Sequence, residues 1–217
     1  MKTGDLFGVR FASREDAGRA LGQHLLERGF QPDVVVGLPR GGVVAAAEVA
    51  RALGRPLGVL IVRKIGHPRH REFAIGALAE PDVVILDKPA VAAVGSDRAE
   101  LDEVIIEERH RLRDYQSRFH HAGEQTLSGK RVLIVDDGLA TGATAEAAVM
   151  SARRQGAVGV VLAVPVAAPE GAARLRAVAD DVIALTLDFS FMAVGQYYDY
   201  FPQTEDEEVL ALLKHHA

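Results

Sequence analysis

The stretch R-V-L-I-V-D-D-G-L-A-T-G-A-T, Arg131 to Thr144, decides how this chain is read. Val132 to Val135 is an apolar, largely β-branched run, too short for a buried helix and suited to a strand covered on both faces. Asp136 and Asp137 follow at once and so stand at the carboxyl end of that strand, where open α/β sheets place their ligands. Gly138 and Gly142 then allow a tight turn. The apolar periodicity from Ala145 to Ala152 predicts a helix starting just after Thr144.

A strand, two acids, a loop of Gly, Ala and Thr, and a helix N-terminus suit one kind of ligand. Backbone N–H groups at the loop and helix start, with the hydroxyls of Thr141 and Thr144, can surround a phosphate dianion whose charge the helix dipole favours. The two carboxylates would repel that dianion. They therefore face a neutral polyol or a cation on its far side, and a phosphorylated sugar satisfies both halves.

These residues carry a resemblance. V-D-D-G-L-A-T-G-A-T is similar to the phosphoribosyl-pyrophosphate motif of the type I phosphoribosyltransferases. The resemblance implies that Asp136 and Asp137 hold ribose hydroxyls. It also implies that the loop Gly138, Leu139, Ala140, Thr141, Gly142, Ala143 and Thr144 holds the sugar's terminal phosphate.

Toward the N-terminus, Ser13 and Asp16 have capping-box spacing at the head of a helical pattern that Gly29 ends, with a packing role. Asp33 to Leu38 reads as a buried strand, followed by P-R-G-G and an alanine-rich helix from about Val43 to Leu53. Alone, Gly37 to Gly42 (G-L-P-R-G-G) reads first as a tight turn, with one cation, Arg40, whose planar fork suits an oxyanion. The family places a pyrophosphate loop here, which implies that Pro39, Arg40, Gly41 and Gly42 belong to the site. Several members have a cis peptide in this loop that does not precede proline, and Pro39–Arg40 is the candidate.

Leu57 to Val62 reads as a third buried strand, ending in Arg63 and Lys64, two cations that could complete the pyrophosphate site. Residues 65–80 hold two glycines, a proline and many charges, with Phe73, Ile75 and Leu78 as anchors, and read as a long, partly ordered loop. The resemblance makes this a flexible lid, spanning about 64–96, whose Arg69, His70 and Arg71 are candidates to meet the leaving pyrophosphate. His67 and His70 have metal-ligand spacing, but no acid or cysteine completes a site. Asp82 to Leu86 reads as a strand that extends the lid region in a hairpin-like way.

Residues 98–121 form an amphipathic helix with Leu101, Leu112, Tyr115 and Phe119 on one face; it caps the sheet or mediates a homodimer. His120 and His121 reflect surface composition or the helix dipole rather than a ligand site. Val158 to Val164 is another strand, Pro169 to Val178 a helix, and Asp181 to Leu187 a strand. Strands alternating with helices give a doubly wound, mostly parallel α/β sheet. Residues 187–202 hold six of the twelve Phe and Tyr side chains of the chain. That concentration serves either core packing or the family's small C-terminal hood, about 187–217, which receives the acceptor. Thr204 and Glu207 have capping-box spacing before the last helix.

The 217 residues suit a single domain, 1–217. A formal charge of -5 argues against nucleic acid as the main partner, and the absence of cysteine excludes disulfides and thiolate chemistry. Met1 to Arg10 lacks the apolar core of a signal peptide and no run is long enough to span a bilayer, so a cytoplasmic protein is expected. The reaction implied is transfer of phosphoribose from phosphoribosyl pyrophosphate to a small nitrogen acceptor such as a base, with release of pyrophosphate. Asp136, Asp137, Lys64 and Arg40 are its catalytic candidates. Mg²⁺ is the implied cofactor, reached by Asp136 and Asp137 mainly through the substrate. The alternatives are a non-catalytic regulator that binds phosphoribosyl pyrophosphate or a nucleotide, and a hydrolase or phosphotransferase acting on another sugar phosphate.

Overall fold

A computed structural model describes residues 10–94, 97–123 and 125–216. The expectation drawn from Met1 to Val9 falls outside these residues, as does that for the side chain of His121. Five strands form one parallel sheet: β1 (Val34–Gly37), β2 (Leu57–Val59), β6 (Arg131–Val135), β7 (Gly159–Ala167) and β8 (Asp181–Leu187), in the order β2-β1-β6-β7-β8. The order reverses direction between β1 and β6, and at such a switch point the loops leaving the two strands part and open a crevice. Val35 pairs with Leu133 and Gly37 with Val135, so the two strands end level. The G-L-P-R-G-G and D-D-G-L-A-T-G loops therefore emerge side by side.

Successive strand residues point to opposite faces and build two cores. Val35, Leu133, Val135 and Ala163 pack with α1 (Arg14–Glu27), α2 (Gly41–Leu53), α4 (Arg98–Gly123) and α7 (Asp206–His215). Val34, Val36, Val132, Ile134 and Leu162 pack against α5 (Ala143–Arg154) and α6 (Pro169–Arg176). Each of these strand valines, leucines and isoleucines is essentially fully buried, contributing about 1.5–3 kcal/mol of transfer free energy. The long helix caps the sheet: Leu112 and Phe119 of α4 are core residues. No helix among the described residues is long and apolar enough to cross a membrane.

The expected third strand and the expected long loop are both revised. Leu57 to Val62 is not one strand: β2 stops at Val59, and β3 (Val62–Gly66) begins a separate antiparallel sheet with β4 (Ala74–Ala79) and β5 (Val83–Leu86), in the order β3-β4-β5. Residues 65–80 are thus mostly a β-hairpin, and α3 (Lys88–Val94) follows β5. Ile75, Ala77, Leu78 and Ala79 of β4 are buried against the two cores, whereas Phe73, also expected as an anchor, precedes the strand and is 52 % exposed. The strand expected at Asp82 to Leu86 does extend this hairpin.

Capping follows the sequence at one helix and not at another. Ser13 Oγ accepts the Asp16 amide at 3.4 Å, while Asp16 Oδ2 accepts the amide of Ala12 instead of closing the box on Ser13. Thr204 is buried and α7 begins two residues later, with Glu205 as N-cap and no side-chain cap bond, so the expected Thr204–Glu207 box does not form.

Candidate active site

The crevice at the switch point is a cavity of about 270 Å³, lined by Leu38, Pro39, Arg40 and Gly41 from the first loop, Lys64 from β3, and residues 136–145 from the second, with Val194 at its margin. The Pro39–Arg40 peptide bond is cis. Of the residues expected at the site, Asp136, Asp137, Gly138, Leu139, Ala140, Thr141, Gly142, Ala143, Thr144, Pro39, Arg40, Gly41 and Lys64 all border the cavity.

Gly41 and Gly42 explain why a glycine pair follows the arginine. A Cβ on Gly41 would lie 2.2 Å from Asp137 Oδ2, and one on Gly42 would lie 2.6 Å from Asp136 Oδ1. Without side chains, the N-terminus of α2 approaches both carboxylates directly. Gly42 thus acts from behind Asp136 rather than as part of the cavity wall.

The second loop is anchored before it turns. The Leu139 amide donates to the Val166 carbonyl at 2.9 Å, and the Ala168 amide donates to the Leu139 carbonyl at 2.8 Å, a one-residue parallel bridge to the end of β7. Gly142 then takes φ +83°, where a side chain would strain the backbone and would also strike Leu175. Among the described residues, no backbone carbonyl takes the amides of residues 140–144. That leaves a row of donors at the start of α5, the arrangement that binds anions. Glu146 in the first turn of that helix is paired with Arg174 Nε at 2.5 Å, which offsets its charge beside those amides.

Both acids resist ionisation. Burial pushes Asp136 well above the usual carboxylate range, and the neighbouring Asp137 charge adds to this. Burial also raises Asp137, opposed by the hydrogen bond and charge of Arg14. The Asp137 amide donates to Asp136 Oδ1 at 2.9 Å, and Arg14 Nε donates to Asp137 Oδ2 at 2.7 Å. The second oxygen of each acid has no hydrogen bond to another described residue. Lys64 lies close enough for its charge to favour both carboxylates.

Four expected cations point elsewhere. Arg63 and Lys64 are consecutive on β3 and so face opposite sides of the strand. Lys64 borders the cavity, and Arg63 pairs with the buried Glu108 of α4 at 3.0 Å. The Arg40 guanidinium lies 3.7 Å from Glu205 and 3.6 Å from Asp206, at the start of α7, although its residue borders the cavity. At the hairpin tip, Arg69 pairs with Glu100 and Arg71 with Glu107, each at 2.9 Å, so both arginines lie against α4. His67 Nδ1 accepts the amides of Arg69 and His70, tying the tip.

Sequence reasoning missed Arg14 and the Glu80–His120 pair. Arg14 opens α1, only 9 % exposed, and meets an acid 123 positions away, for which local pattern gives no sign. His120 was expected to be a surface residue, but its Nε2 lies 2.6 Å from Oε2 of buried Glu80, which joins α4 to the turn between β4 and β5. In the aromatic-rich segment 187–202, Tyr197 donates to Asp188 at 2.8 Å, and burial with that carboxylate pushes its hydroxyl up to about 12. Asp188 thus serves that segment's own packing. Phe189 is 93 % exposed and Met192 89 %, so part of the segment's apolar surface is not core.

Two glycine loops thus meet at adjacent parallel strand ends, one carrying paired acids and the other an arginine followed by two glycines, at the switch point of an open α/β sheet. Residues 12–200 match the phosphoribosyl transferase domain family, and the chain belongs to the type I phosphoribosyltransferases. A Mycobacterium tuberculosis H37Rv protein, provisionally named a phosphoribosyl transferase, is 45% identical over 204 residues, covering 94% of this chain and 46% of that protein. The chain spans about half the length of the curated relatives it matches. Among solved structures, TT1426 from Thermus thermophilus is 42% identical with a TM-score of 0.80, covering 96% of this chain and 100% of that one. A hypothetical protein from Neisseria gonorrhoeae, solved with bound ppGpp, shares the fold at 12% identity and a TM-score of 0.50, covering 98% of each chain.

Proposed function

We propose that this chain transfers phosphoribose from phosphoribosyl pyrophosphate to a small nitrogen acceptor, in the first instance a base, and releases pyrophosphate. One observation carries the reading: each of the two adjacent acids has one oxygen fixed by the protein and the other left over, beside a row of unclaimed amides at a helix start. Two leftover acceptors match two vicinal hydroxyls, and the amides match the phosphate of the same sugar.

The acceptor nitrogen, its proton lost to solvent through the acceptor's own acidity, forms a bond to the anomeric carbon as the carbon–oxygen bond to pyrophosphate breaks, with the electron pair leaving on pyrophosphate. The ribose ring gains positive charge in between, as in glycoside hydrolysis. Asp136 and Asp137 fix the hydroxyls and favour that charge, and a sugar bridging them supplies hydrogen bonds that offset the burial and repulsion of the free pair. Lys64 offsets charge on the departing pyrophosphate. Arg40 joins it when the anion draws it from Glu205 and Asp206, and the hairpin 65–80 excludes water from the ring.

Among the described residues, no group of three or more His, Cys, Asp or Glu side chains could hold a metal. Two carboxylates fit Mg²⁺ that arrives on the substrate, because this ion commonly takes one or two carboxylates with phosphate oxygens and water. Asp136 and Asp137 would reach such an ion mainly through the substrate, and the chemistry it would supply is neutralisation of charge on pyrophosphate.

The test is to supply phosphoribosyl pyrophosphate, Mg²⁺ and a panel of bases, and to follow pyrophosphate. Release that depends on a base, and is lost in Lys64→Ala, supports the transferase. Calorimetric binding without turnover across the panel would make the chain a regulator, and no binding would remove the assignment.

A further inference from the structure

Arg14 belongs to none of the loops assigned to the sugar phosphate, yet it is among the few buried charged residues of the fold. Its Nε donates to Asp137 Oδ2 at 2.7 Å and its Nη1 donates to the Pro202 carbonyl at 2.7 Å. Its guanidinium carbon lies 3.7 Å from the centroid of the Phe201 ring, within the range of a cation–π contact. Phe201 stacks on Tyr198 with centroids 4.9 Å apart, and the Tyr198 hydroxyl donates to the Asp137 carbonyl at 2.5 Å. The contacts close a ring. Asp137 is held at its carboxylate by α1 and at its backbone by the hood, and Arg14 and the stacked aromatics join the two holds.

Gly41 shows how tightly the ring is built. A Cβ there would lie 2.6 Å from Arg14 Nε as well as 2.2 Å from Asp137 Oδ2. The start of α2 thus comes so close to the ion pair that no side chain fits at Gly41. A carboxylate held at one oxygen by a planar, doubly anchored guanidinium presents its other oxygen in a fixed direction, and fixed acceptors lower the ordering cost of binding a hydroxyl.

We propose that Arg14 is the positioning residue of Asp137: it sets the direction in which that acid presents its free oxygen to the sugar, and it makes the segment Tyr198 to Pro202 part of the same rigid unit. The proposal rests on the phosphoribosyl reading of the site. It adds that ribose affinity depends on a side chain from the first helix and on the hood. The role is indirect, since Arg14 acts through Asp137.

The test is a double-mutant cycle on phosphoribosyl pyrophosphate affinity, measured by calorimetry with Mg²⁺ on the full chain, using Arg14→Met, Asp137→Asn and the combination. Arg14→Met is expected to weaken binding about tenfold in the native background, the scale seen when a residue that orients a ligand-binding group is removed. In the Asp137→Asn background the same change should cost no more than about twofold, the limit of additivity error. Arg14→Lys keeps a cation and should recover part of the loss. Tyr198→Phe removes only the hydroxyl bond to the Asp137 backbone and should weaken binding in the same direction. These two conservative variants carry the test if Arg14→Met does not fold. Equal losses from Arg14→Met in both backgrounds, or full affinity in Arg14→Lys and Tyr198→Phe together with Arg14→Met, would overturn the positioning role while leaving the site intact. Failure of the unaltered chain to bind would instead remove the phosphoribosyl reading, and this proposal with it.

Discussion

The edge where β1 and β6 end and the antiparallel sheet β3-β4-β5 border the same cavity but are held by different forces. At the parallel edge, geometry comes from backbone and burial: glycines admit α2 to the acids, Leu139 is bridged to β7, and Arg14 is enclosed. The tip of the antiparallel sheet is tied to α4 by arginine–glutamate pairs, Arg69–Glu100 and Arg71–Glu107, whose side chains are substantially exposed. Buried, over-determined contacts hold one geometry. Exposed ion pairs are weak and screened by salt, so they can be exchanged for another anion. Under the proposed function, the contrast suits a fixed sugar-binding edge beside a region that can rearrange.

The largest expected effect lies at the fixed edge. Asp137→Asn should lower turnover by about 10²-fold or more in a pyrophosphate-release assay, while thermal unfolding changes little. Comparable losses from Arg69→Ala would erase the distinction between the two regions. Next, Gly42→Ala should destabilise the fold by about 1–3 kcal/mol in denaturant titration, because its methyl would meet Asp136 Oδ1 at 2.6 Å and the backbone of Val135 at 3.0 Å.

Asp136→Asn sharpens the comparison in the opposite direction. Burial raises the folded-state pKa of Asp136 above its unfolded value, so the folded chain binds this proton more tightly. Stability from this group therefore increases as pH falls through the raised value toward the ordinary carboxylate range, and above that value ionisation is a standing cost. Replacing the acid with asparagine should raise stability by about 1 kcal/mol at neutral pH, with the gain vanishing in acid, as followed by melting temperature against pH. The smallest effect belongs to the tip: Arg69→Ala and Arg71→Ala should each cost no more than about 1 kcal/mol, less at high salt, by the same measurement.

The same contrast governs how much was legible in the sequence. The acids, the glycine loops and the parallel sheet could be read because each is a local pattern: a β-branched run, then polar residues, then a helix start. Lys64 could be placed near the site, but Arg63 could not be excluded without knowing that Leu57 to Val62 breaks into two strands and that β3 alternates. The hairpin was hidden because Ala74 to Ala79 is poor in β-branched residues and its neighbours are charged, which resembles a loop. Arg14, and His120 with Glu80, act across 123 and 40 positions, and periodicity contains no information about such partners.

The bridge between Leu139 and β7 has a consequence for timing. A loop that must first assemble its amides loses configurational freedom each time an anion arrives; one continuous with a buried strand loses that freedom once, when the chain folds. The Leu139 amide should accordingly exchange with deuterium as slowly as those of β7, giving the loop that carries the free amides the tempo of the sheet.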